Sequence, residues 1–115
     1  MTDTLYPPSS RALSDARKRL APEPHAAFLA FSEKLFADGA LPAKTKQLIA
    51  VAVVHVTQCP YCIRGHTKTA LRQGATGEEI MEAIAAEMRA GGAYAHAALA
   101  VEEIEKSAPP VQAGG

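Results

Sequence analysis

PAKTKQLIAVAVVHVTQCP, residues 42–60, contains the longest apolar run of the chain, Leu48 to Val54. How this run is read decides the fold class. Its β-branched residues, Ile49, Val51, Val53 and Val54, are compatible with a buried strand. The segment is too long for an ordinary strand, and its polar start, PAKTKQ, favours a helix. The expectation is a helix from about Pro42 to Thr57, with Pro42 in its first turn. It is apolar on every face and therefore buried.

Outward from this segment the punctuation is helical throughout. Pro60 pushes Cys59 out of the αR region and fits the first position of a next helix, which runs to about Gln73 with Gly74 as its stop. Thr76 and Glu79 have the spacing of a capping box. Ile80, Ile84 and Met88, with Ala85, form an apolar stripe to about Ala90. The pair Gly91-Gly92 breaks the chain, and Tyr94, Ala97, Ala98, Val101 and Ile104 outline a last amphipathic helix. Toward the N-terminus, ADGALP separates the central helix from one over Ala26 to Ala37 that repeats Phe28, Phe31, Leu35 and Phe36. APEPH, residues 21–25, breaks the chain before it. Ser9 or Ser10 caps a first helix ending near Leu20. No strand-like alternation, hairpin signal or internal repeat occurs. The expected class is all-α with six helices in one domain over residues 9–105, between a flexible arm at 1–8 and a disordered tail at 106–115.

At 115 residues the chain suits one domain. Hydrophobic residues make up 48% and charged residues 21%, an ordinary globular composition. The formal net charge is zero, so no basic face is implied and nucleic acid is not an expected partner. MTDTLYPPSS has no basic n-region and no apolar h-region, and the longest apolar run is far short of a membrane span. A cytoplasmic protein without a membrane partner is expected. Aromatics are 5% and tryptophan is absent, so the core lacks large side chains, and self-association would bury more surface.

Both cysteines lie in QCPYCIRGH, residues 58–66. A close pair in a reducing compartment points to redox or metal chemistry rather than a structural disulfide. Cys59 as N-cap places its sulfur beside the unpaired amides of the first turn, which favours a thiolate. Cys62 falls in that turn, within reach of a disulfide to Cys59. His66 follows Cys62 by one turn on the same face, where an imidazole can take or give the thiol proton. His55, four residues before Cys59, approaches from the preceding helix. Redox chemistry is therefore the expectation. A zinc site of Cys59, Cys62, His66 and His55 has suitable ligand types, but one ligand would end a rigid buried helix where zinc pairs usually sit on knuckles. The plain alternative is two small buried residues, with a histidine closing a helix. Haem attachment is excluded, because Ile63 follows the second cysteine where that motif has histidine. Neither cofactor nor metal is expected.

Residues 41–84, LPAKTKQLIAVAVVHVTQCPYCIRGHTKTALRQGATGEEIMEAI, resemble the carboxymuconolactone decarboxylase-like superfamily, in particular its alkylhydroperoxidase D-like branch. The matching features are the LPxKTK lead-in, the apolar helix, C-x-x-C-x-x-x-H and the GAT-x-EEI start of the following helix. The decarboxylase that names the superfamily lacks the cysteine motif as a rule. The resemblance implies an all-α fold in a homo-oligomer, a trimer or a hexamer built as a trimer of dimers. It implies peroxidase activity on organic hydroperoxides or hydrogen peroxide. One thiolate becomes a sulfenic acid, the other cysteine closes the disulfide, and a dithiol reductant, which in this family can be a lipoyl-bearing protein, resets the pair. The N-cap position favours Cys59 as the attacking thiol. The His66 spacing and the resemblance favour Cys62, with Cys59 resolving, and Cys62 is taken here. The family's relay glutamate is expected twelve residues before the first cysteine, where this chain has Gln47. Glutamine cannot accept a proton but can orient an imidazole. His55 is the nearest group to reroute such a relay. The competing function is a decarboxylase-like lyase, or a metal-binding or redox-sensing module. In the lyase reading Lys44, Lys46 and Arg64 would line an organic-acid pocket, though each also reads as a solvated helix charge.

Overall fold

The computed structural model describes residues 7–8, 10–90 and 97–107. Among them are six helices and no strand: α1 (Arg11–Leu20), α2 (Pro22–Leu35), α3 (Ala43–Thr57), α4 (Pro60–Arg72), α5 (Gly77–Ala90) and α6 (Ala97–Ser107). The all-α class is as expected. Gly91, Gly92 and Tyr94, and most of the proposed arm and tail, lie outside the described residues. α6 continues through Lys106 and Ser107, two residues into the expected tail, and the Ser107 hydroxyl donates to the Glu103 carbonyl at 3.1 Å. The chain divides into two compact units, Met1–Ala37 and Asp38–Gly115.

In the first unit α1 packs on α2. Ser10 caps α1, its hydroxyl accepting from the Leu13 amide at 3.3 Å. The expected break at APEPH shrinks to Ala21 alone, and the prolines begin α2 instead of preceding it. Pro22 is the first helical residue and Pro24 is in the first turn, where a missing N–H costs no intrahelical bond. No residue of either helix is buried, and Phe28 and Phe31 are 66% and 60% exposed.

In the second unit α3 packs against α4 and α5, and α4 against α6. Pro42 is the N-cap of α3 rather than part of its first turn, and its ring cannot accept a hydrogen bond. The Asp38 carboxylate does so, accepting from the Ala43 amide at 2.7 Å. Within a single chain α3 is buried on one side only. Ala43, Gln47, Val51, Val54 and His55 are buried, while Ile49, Val53 and Val56 are 49%, 52% and 56% exposed. Two neighbouring helices cover one side of α3, and the other side stays open.

α4 ends at Arg72 and is capped by Gln73; Gly74 follows, and its φ of +93° suits a residue without Cβ. The capping box of α5 forms as expected: the Thr76 amide donates to Glu79 at 2.9 Å, and the Glu79 amide donates to the Thr76 hydroxyl at 3.0 Å. The Thr76 amide, and then Lys44 at 3.0 Å, hold the Glu79 carboxyl below its ordinary value. The buried face of α5 is Ile80, Ile84 and Glu87, with Met88 39% exposed, so the stripe is turned one residue from its expected phase. α6 likewise buries Ala97, Ala100 and Glu103, leaving Val101 outward. A Cβ at Gly77 would stand 2.9 Å from Ile104, so glycine lets α5 and α6 close on each other. Ile63, Ile80 and Ile84 are fully buried, each contributing roughly 1.5–3 kcal/mol by leaving water.

Candidate functional site

The α3–α4 corner is built by backbone bonds. The amides of Gln58 and Cys59 both donate to the Val54 carbonyl, at 2.9 and 3.4 Å. To make them, Gln58 takes the left-handed conformation, φ 61° and ψ 42°, and is the one described non-glycine residue with positive φ. Such a conformation costs a side-chain-bearing residue roughly 1–2 kcal/mol, and strain of this kind is found where a chain must be aimed. Here it aims Cys59. Cys59 is the N-cap of α4, and its sulfur accepts from the Cys62 amide at 3.3 Å. Pro60 is the first helical residue. Cys59 and Cys62 are joined as a disulfide, with Cα atoms 5.2 Å apart. Both residues are partly exposed, so the bond is open to reagents.

His66 lies one turn beyond Cys62 on the face toward α3. Its Nδ1 donates to Oε1 of Gln47 across the helix pair at 2.9 Å. That bond fixes the proton on Nδ1, so the neutral ring carries its basic lone pair on Nε2. Burial pushes the His66 imidazolium below its ordinary value, so the neutral ring is the form in place at pH 7. Gln47 is 4% exposed. It is therefore a buried, committed acceptor and not a helix-surface polar residue.

His55 does not join this pair. It is fully buried, its Nδ1 donates to the Val51 carbonyl at 2.7 Å, and its Nε2 has no partner. The structure thus links Cys59 to Cys62 and Gln47 to His66, and leaves His55 outside both pairs. No group of three or more His, Cys, Asp or Glu residues among the described ones is placed to hold a metal ion.

The sequence reading missed a buried charge cluster on the opposite flank of α4. Glu103 is 2% exposed. Its carboxylate accepts from Arg64 at 3.0 Å and Lys106 at 3.4 Å, and lies 3.8 Å from Lys68. Burial raises the Glu103 carboxyl, but Arg64 and the two lysines outweigh it and hold it below its ordinary value. Arg64 also pairs with Glu102 at 3.1 Å, so its guanidinium bridges two carboxylates of α6. The signal in the sequence was a glutamate on the inward row of α6, three residues beyond Ala100. Glu87 is buried as well, with neither carboxylate oxygen partnered. Gly65, mid-way along α4, costs about 0.5–1 kcal/mol against alanine. A Cβ there would meet nothing within 4 Å, so packing inside the chain does not call for glycine.

A model of the carboxymuconolactone decarboxylase family matches residues 22–103. The "Uncharacterized protein 4 in cox locus" of Paracoccus denitrificans is 61% identical over 110 residues, which is 91% of this chain and 98% of that protein. An uncharacterized protein of Cupriavidus necator is 45% identical over 67 residues, 55% of this chain and 59% of the other. Among solved structures, a carboxymuconolactone decarboxylase family protein from Legionella pneumophila superposes with a TM-score of 0.76 at 34% identity, covering 83% of this chain and 87% of that one. TM1620 from Thermotoga maritima superposes with a TM-score of 0.75 at 28% identity, over 84% and 89% of the two chains.

Proposed function

The chain belongs to the carboxymuconolactone decarboxylase family, and on that premise we propose that it is a thiol-dependent peroxidase of the alkylhydroperoxidase type. The observation that carries the reading is the Cys59–Cys62 disulfide at the start of α4, one turn from a histidine whose tautomer is fixed by Gln47. In the reduced state the Cys62 thiolate attacks one oxygen of a hydroperoxide and the O–O bond breaks. The alkoxide leaves as an alcohol after taking a proton, and Cys62 becomes a sulfenic acid. The Cys59 sulfur then displaces hydroxide, released as water, and the disulfide closes. One peroxide is reduced by two electrons while two thiols are oxidised. His66 Nε2 is the base that takes the Cys62 proton and returns it to the leaving oxygen. A dithiol, such as a lipoyl group on a carrier protein, restores the thiols by exchange, as the reducing cytoplasm permits.

The test uses reduced protein and one equivalent of cumene hydroperoxide under metal-free conditions. Both thiols should disappear, one equivalent of the alcohol should form, and dihydrolipoamide should restore both thiols. Thiols that survive the peroxide would overturn the reading.

We also propose that the protein works as a homo-oligomer, a trimer or a hexamer. Phe28 and Phe31 on α2, and Ile49, Val53 and Val56 on α3, expose large apolar area within a single chain. The row on α3 repeats at helical spacing, as a face covered by a second helix does. Light scattering should give at least three times the 12.1 kDa chain mass. A monomer at micromolar concentration would refute this assembly.

A further inference from the structure

Cys62, Gly65, Lys68 and Leu71 fall three residues apart on α4 and form one oblique row on its surface. The row starts at the disulfide. It ends in an open pocket of 480 Å³ between the last turns of α4 and α6, lined by Lys68, Leu71, Arg72, Glu103, Lys106 and Ser107. Gly65 is the missing side chain of the row, and the space beside it is open. The pocket carries surplus positive charge. Among its lining residues Lys68, Arg72 and Lys106 are set against Glu103, and Arg72 has no ion-pair partner among the described residues. Lys68 and Lys106 have side chains 50% and 66% exposed, which leaves them free to reorient toward an incoming anion. Apart from Cys62, dithiol chemistry uses none of these residues.

We propose that the row and the pocket bind the oxidising substrate, and that this substrate is an organic hydroperoxide bearing a carboxylate. The inference rests on the peroxidase reading above and narrows its substrate class. The peroxy group meets the Cys62 sulfur, the alkyl chain crosses the bare backbone at Gly65 and touches Leu71, and the carboxylate sits among Lys68, Arg72 and Lys106. From Cys62 to Lys68 the helix rises about 9 Å, and to Arg72 about 15 Å; the row also turns about the axis as it climbs, so the two ends of the ligand stand farther apart than the rise alone. The carboxylate is unchanged by the reaction. The hydroperoxide leaves as the hydroxy acid with one water, and the two thiols become the disulfide.

Two measurements test this. The first is direct binding of decanoate, a carboxylate with no peroxy group, to the oxidised protein by calorimetry. Decanoate should bind, methyl decanoate should bind at least tenfold more weakly, and Arg72→Ala and Gly65→Leu should each weaken decanoate at least tenfold. Leucine is a better helix former than glycine and its Cβ at position 65 would meet nothing within 4 Å, so the helix should persist in Gly65→Leu, which circular dichroism checks. The second is turnover of a fatty-acid hydroperoxide against its methyl ester. The acid should be preferred at least tenfold in kcat/KM, through KM, and Arg72→Ala should abolish the preference. Equal use of acid and ester, or decanoate binding indifferent to both substitutions, would overturn the proposal while leaving the peroxidase intact. Binding of decanoate with no turnover of any peroxide would overturn the peroxidase reading, and this substrate assignment with it. If the cations served only Glu103 and the helix ends, Arg72→Ala would leave decanoate affinity unchanged, which also overturns it.

Discussion

On the peroxidase reading, Cys62→Ser should lower peroxide turnover by about three orders of magnitude or more, because it removes the attacking thiol and leaves Cys59 with no partner to close the disulfide. A serine hydroxyl at this site gives neither a sulfenic acid nor a disulfide. Cys59→Ser behaves differently. It retains the attacking thiol and places serine, a strong helix capper, at an N-cap position where the cysteine sulfur already accepts from the Cys62 amide. The fold should therefore persist, peroxide should still be consumed in one round, and a sulfenic acid should accumulate where a dimedone adduct can trap it. The adduct found in Cys62→Ser and not in Cys59→Ser would exchange the two roles, as the N-cap position of Cys59 allows. Conversion of an organic acid by a Cys59→Ala, Cys62→Ala double variant would instead favour the decarboxylase-like lyase.

The ends of the elements were legible where one residue decides them. Ser10, Pro60, Gly74 and the Thr76–Glu79 box each act through the nearest turn of backbone, and each holds. APEPH misled because a proline breaks a helix interior but is free in a first turn, and the two cases look alike until the helix start is known. The inward faces were less legible. With alanine on every side, the phase of α5 rests on a few large residues, and Met88 matched the helical period as well as Glu87 did. Gln47, Glu87 and Glu103 are polar residues on buried rows, which pattern alone places outside. The cysteine pair was readable because its geometry is local to one turn. The Gln47–His66 bond joins residues nineteen apart and exists only because α3 and α4 pack side by side. No spacing rule within a single helix could have reported it.

Gln47→Glu tests what that bond does. In the native chain the glutamine oxygen orients His66 but carries no charge to hold a proton on the ring, and burial lowers the imidazolium. A carboxylate in place of the glutamine oxygen would favour the imidazolium and raise the His66 pKa. The charged ring, one turn from Cys62, would stabilise the thiolate, and alkylation of reduced protein by iodoacetamide at pH 7 should accelerate about tenfold or more. Peroxide turnover should rise with it, within the range of about 10²–10⁴ that acid–base catalysis spans. Stability gives an independent sign. The native His66 is depressed from 6.5, so below that pH the unfolded chain binds more protons. Its contribution to stability is present above 6.5 and is lost as pH falls through the folded value. In Gln47→Glu the shift reverses. The contribution is then complete below 6.5 and is lost as pH rises through the elevated value. Urea unfolding of both proteins between pH 5.5 and 8 should therefore give opposite slopes from this residue. If the slopes agree and alkylation is unchanged, the Gln47–His66 bond does not govern the thiol, and the proton must leave Cys62 by another route.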